Sequence, residues 1–181
     1  MQTSLICCLA LFCLSLTGRA AELPAKVATN VPGAFGVVFG KPLAPKIITS
    51  TADSDLEVSV RIKPTTPSPF LNQYVARINP TTKAVYELQG WFETTDEAQK
   101  TEMFGKLSDG LAGKYGSLPP GASADATTQI RAVDGVIIDL AIINQSVVLT
   151  YTNSSQKKLA DKALEERTAA RTKKVFDATG L

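Results

Sequence analysis

Residues 73–92 constrain the fold most. Tyr74, Ala76 and Ile78 alternate with Gln73, Val75, Arg77 and Asn79, and Asn79-Pro80-Thr81-Thr82 then forms a turn. The return segment sets Tyr86, Leu88, Gly90 and Phe92 against Glu87, Gln89 and Trp91. A period of two on both arms, with proline presetting the turn, predicts an antiparallel hairpin with one apolar and one polar face. Leu56, Val58, Val60 and Ile62, alternating with Glu57, Ser59, Arg61 and Lys63, predict a strand just upstream that ends at Pro64.

Thr94 with Glu97 reads as a capping box. Met103, Phe104, Leu107, Leu111 and Tyr115 follow at helical spacing, with Gly116 as the stop. Thr128 to Val133, Val136 to Ile143 and Val147 to Thr152 read as three further strands, turned at Asp134-Gly135 and Asn144-Gln145. Ser154 or Asn153 caps a charged helix from about Ser155 to Lys174, whose apolar stripe is thin. The order strand-strand-strand-helix thus occurs twice. It predicts an α+β fold: a single antiparallel sheet of about six strands with two helices on one face.

Before the first of these strands, the chain is differently composed. Leu5 to Leu16 is an apolar core, and Gly18-Arg19-Ala20 supplies small residues for cleavage before Ala21. Residues 1–20 therefore read as a secretory signal peptide. Residues 21–53 read as a lead-in with a Phe35-Gly36…Phe39-Gly40 segment, and 54–181 as the α+β domain. All three cysteines (Cys7, Cys8 and Cys13) fall inside the leader, and the chain has no histidine. The exported protein is then left without thiol, disulfide or imidazole, which removes most nucleophiles, most transition-metal sites and the commonest general base. No cofactor and no metal are expected. With Arg19 gone, 18 of the 19 basic residues remain against 17 acidic ones, so there is no electrostatic footprint for nucleic acid or anionic lipid. No second apolar run is long enough to span a membrane.

The Phe-Gly opening, the Tyr74…Ile78-Asn79-Pro80-Thr81 to Val85-Tyr86 hairpin, Lys114-Tyr115-Gly116 and the Asp177-Ala178-Thr179-Gly180-Leu181 end are similar to a group of uncharacterised secreted bacterial proteins. The resemblance implies a periplasmic or extracellular setting and no activity.

Candidate site residues come from the polar face of the strands. Trp91 shares the side of Glu87 and Gln89. It either packs under a loop or against Phe35 and Phe39, or stands exposed as the anchor of a binding patch. Arg61, Arg77 and Arg131 are expected on the outward side of their strands, beside Glu57, Glu87 and Asp139. They form either cross-strand ion pairs or a surface that takes a carboxylate- or phosphate-bearing partner in guanidinium forks. Tyr74, Tyr86, Tyr115 and Tyr151 belong to the apolar sides. The leading function is a secreted, non-enzymatic binding or interaction protein using an open sheet face, with a protein or a small anionic ligand as partner. The alternatives are a metal-independent hydrolase or lyase using carboxylates, and a structural envelope component. N-terminal sequencing of exported protein is expected to start at Ala21, and thiol titration to find none.

Overall fold

The computed structural model describes residue 28 and residues 30–54, 57–118 and 127–179. The leader, its cleavage site, Leu56 and residues 119–126 lie outside the described residues. The fold is α+β. Its elements are β1 (Gly33–Ala34), β2 (Val37–Val38), β3 (Ile48–Asp53), β4 (Val58–Ile62), β5 (Gln73–Ile78), β6 (Val85–Glu93), α1 (Glu97–Tyr115), β7 (Thr128–Val133), β8 (Val136–Ile143), β9 (Ser146–Asn153) and α2 (Ser154–Thr179).

β1 and β2 form a two-stranded ribbon; the other seven make one antiparallel sheet in the order β3-β4-β5-β6-β9-β8-β7. The expected six strands are therefore seven, plus the ribbon. The extra strand, β3, lies in what reads as a loop up to Asp53. It is an edge strand with every residue exposed, so it carries no alternation for the sequence to reveal. The expected boundary between 53 and 54 falls in the β3–β4 turn, where Ser54 N–H donates to Glu57 O at 2.9 Å.

Two meanders, β4-β5-β6 and β9-β8-β7, meet at the β6–β9 pair. One face carries Val60, Ala76, Leu88, Ile138 and Leu140, each at most 1 % exposed. α1 covers the β8–β9 half of this face with Phe104, Leu107, Leu111 and Tyr115, all in the same core as the strands. Over the other half lies the N-terminal ribbon. Phe35 takes φ 55° and Gly36 φ 78°, a left-handed turn that drives the Phe35 ring inward. That ring meets Tyr74 at 5.0 Å and Tyr151 at 5.7 Å, both edge to face. It does so above Gly90, where an added Cβ would stand 3.2 Å from the ring and 2.5 Å from Leu71 Cδ1.

The helix caps differ in detail from the capping-box reading. Asp96, not Thr94, is the N-cap of α1, accepting from Ala98 N at 2.8 Å and Gln99 N at 3.1 Å. Thr94 sits one step back, its hydroxyl accepting from Asp96 N at 3.2 Å. Lys100 is buried, and its ammonium pairs with Glu97 and donates to Asn144 O at 3.1 Å, tying α1 to the β8–β9 turn. α2 follows β9 directly, with Asn153 Oδ1 accepting from Gln156 N at 3.0 Å. It crosses the end of the sheet at the β5–β6 turn, where Asn79 Nδ2 donates to Leu159 O at 3.2 Å. Farther along, Arg167 Nη2 meets Asp53 Oδ1 of β3 at 2.7 Å. Among the described residues, no helix is long and apolar enough to cross a membrane. Leu88 is fully buried at the centre of the sheet. Leu88→Ala is expected to cost about 2–5 kcal/mol in urea melts, because the cavity cannot collapse under Phe35 and the helices.

Candidate functional site on the sheet face opposite α1

Residues directly opposite each other in an antiparallel pair point to the same side, so the registers define rows across the sheet. One row runs Ala52–Ser59–Arg77–Glu87–Thr152–Ile137–Ala132. The next runs Ser50–Arg61–Val75–Gln89–Thr150–Asp139–Ile130. The third runs Gln73–Trp91–Val148–Ala141–Thr128. Trp91, Arg61, Arg77, Glu87 and Asp139 thus share one face. Phe35 lies on the opposite side with Tyr74 and Tyr151, so Trp91 does not pack against the N-terminal segment.

Arg131 is the exception. It pairs with Ile138, which is fully buried, and therefore points toward α1; it is 4 % exposed. The outward placement expected from the sequence is corrected by the register. Its Nη1 donates to Gly116 O, just past the end of α1, where a helix C-terminus favours a cation, while its Nε is buried with no hydrogen-bond partner among the described residues. Burial pushes its pKa down from the usual arginine range.

Arg77 is committed to a charge network. Its Nε lies 3.0 Å from Glu57 Oε2 and 3.4 Å from Glu87 Oε1. Ser59 Oγ donates to Glu57 Oε1 at 3.0 Å, Gln89 Nε2 to Glu87 Oε1 at 2.9 Å, and Thr152 Oγ1 to Glu87 Oε2 at 3.2 Å. Glu87 is buried, so Arg77 is the counter-charge that lets it remain there. Neighbouring Tyr86 is pushed up to about 12, first by its own burial and then by the charge of Glu87.

Arg61 differs from both other arginines. It is exposed, and among the described residues its guanidinium has no hydrogen-bond or ion-pair partner. It borders a cleft of about 280 Å³ walled by β3 through Ser50, Thr51 and Ala52. Val75, Gln89 and the Glu57–Arg77 network line its middle, and Trp91 closes the far side. Trp91 also lines a second cleft of about 660 Å³ with Glu93, Thr94, Thr95 and the β8–β9 turn. Arg61 in turn lines a third, of about 260 Å³, with Thr49, Asn72 and Gln73. The two side chains therefore stand between adjoining depressions. The alternation shows Ser59 and Gln89 on this face, but the β3 wall has no counterpart in the sequence pattern.

Across β9 the face becomes apolar: Ile130, Ile137 and Ile143 are 38 %, 43 % and 48 % exposed. Asp139 lies among them, its Oδ1 buried with no hydrogen-bond partner. Burial raises its pKa above the usual carboxylate range. Among the described residues, no group of three or more His, Cys, Asp or Glu could hold a metal ion.

No protein-family model matches the chain, and comparisons with curated proteins and with solved structures find no match.

Asp139 yields a signed pH effect. A carboxyl whose folded pKa lies above its unfolded value favours folding while protonated and costs stability as pH rises through that interval and beyond. Asp139→Asn is therefore expected to raise the urea midpoint at pH 7 and to leave it unchanged near pH 3. A loss of stability at pH 7 would show that the carboxylate has a partner.

Proposed function

We propose that this chain is an exported, non-enzymatic binding protein whose working surface is the sheet face opposite α1. The resemblance to secreted bacterial proteins supports a periplasmic or extracellular location. The observation that carries the reading is the pairing of an unpartnered, exposed Arg61 with Trp91 across one cleft, beside three exposed isoleucines. An aromatic anchor, a free guanidinium fork and an apolar flank are the groups that dominate recognition surfaces.

Carboxylate chemistry is the weaker reading. Glu57 and Glu87 share one guanidinium between them, so neither is free as a nucleophile or a base. Asp139, the acid with the raised pKa, lies two strands over from Glu87 and two residues along, roughly 12 Å at the usual strand spacing and rise. That exceeds the separation over which two carboxyl groups act on one glycosidic bond.

The test is retention of a bound partner. Protein isolated natively from the exporting cell is examined by native mass spectrometry beside Trp91→Ala. A bound small molecule or protein is expected on the parent chain, with affinity lower by about 2 kcal/mol or more in the variant. The variant's urea midpoint should fall far less than that of Leu88→Ala. Equal retention by both proteins, or turnover of the bound molecule, overturns the reading.

A further inference from the structure

The three arginines of the strands are in three different states. Arg131 is buried and bonded to Gly116 O, Arg77 is shared by two carboxylates, and Arg61 is open to solvent with an unoccupied fork. The cleft between Arg61 and Trp91 contains one acid, Glu57, and that acid is already matched by Arg77. Arg77 is shared with buried Glu87, so that network carries one net negative charge, and Arg61 is the guanidinium on the cleft left without a partner. One planar guanidinium fits one carboxylate in a bidentate fork. A dianion such as phosphate would bring a second negative charge toward Glu57 with no cation to meet it.

The rest of the cleft is not charged. Val75 lies in the same row as Arg61 and next to it, and Trp91 presents its indole at the far wall. Ser50, Ser59 and Gln89 supply hydroxyls and an amide around them. A volume of about 280 Å³ sits at the small end of ligand sites, so the occupant is a fragment-sized molecule. We propose that this cleft binds a small monocarboxylate bearing a flat apolar ring, with the carboxylate on Arg61 and the ring along Val75 and Trp91. The proposal rests on the binding-protein reading above and names the ligand class for that surface.

Trp91 is the only tryptophan in the chain, so its emission reports on the two clefts it lines, and dependence on Arg61 assigns a response to this one. Benzoate is the probe, with benzamide as its uncharged counterpart and inorganic phosphate as the dianion. A ligand of this size binds on the order of millimolar, so titrations extend to about 10 mM. A saturable change in Trp91 emission is expected with benzoate. Binding should be at least about tenfold weaker for benzamide and for benzoate with Arg61→Gln, which lose the charge-assisted pair, and for phosphate, which lacks the ring and brings a second negative charge toward Glu57. Circular dichroism and urea melts establish that Arg61→Gln is folded. No saturable response to benzoate, equal binding of benzamide, tighter binding of phosphate, or unchanged binding by Arg61→Gln each overturns the proposal. Failure here with a partner still retained through Trp91 would refute the carboxylate ligand and leave the binding surface standing.

Discussion

The pairing of β6 with β9 holds the two halves of the sheet together, and the placement of every candidate residue depends on it. Seven successive pairs, from Glu87–Thr152 to Glu93–Ser146, join segments separated in sequence by α1, β7 and β8. A slip of one residue would carry Trp91 into the core and Leu88 out of it. Gly90 and Phe35 oppose such a slip. A Cβ at Gly90 would clash with Leu71 Cδ1 at 2.5 Å and crowd the Phe35 ring, which sits between Tyr74 and Tyr151, at 3.2 Å. The ribbon of β1 and β2 is thereby part of what sets the register of a sheet it does not join.

Charge on this protein divides into two populations with different roles. Lys100, Arg77 and Arg131 are held by carbonyl or carboxylate oxygens at places where elements meet, and those bonds offset part of the cost of burying them. They are parts of the framework. Arg61 differs in having no such partner, and it is this difference, more than the presence of a basic residue, that marks the cleft.

The β5–β6 hairpin and the helical spacing of α1 were legible because each buries one side and exposes the other. The face of Trp91, Arg61, Arg77, Glu87 and Asp139 followed from the same alternation. β3 was not legible: an edge strand with all six residues exposed has no burial pattern to imprint on Ile48-Thr49-Ser50-Thr51-Ala52-Asp53. That hid one wall of the cleft. Arg131 misled for another reason. Hydropathy places Ile130 inward and Arg131 outward, but the register reverses both, and the carbonyl of Gly116 beyond α1 supplies the acceptor that makes the reversal possible. Nothing local to β7 encodes that carbonyl. Thr94 and Asp96 show the same limit on a smaller scale, since both are good caps and only the geometry of the first turn decides between them.

α2 starts at the last residue of β9 without a linker and reaches β3 through Arg167 and Asp53. The thirteen steps from Ser154 to Arg167 give a helical rise of about 20 Å, and the four strand spacings from β9 to β3 amount to about 19 Å. The helix is therefore a strut cut to the width of that half of the sheet, pinned at one end by a covalent bond and at the other by an ion pair. Five strands, β3 to β9 in sheet order, lie within that span. The edge strand that walls the cleft is thus tied, through Asp53, to a helix that supplies none of the cleft's lining.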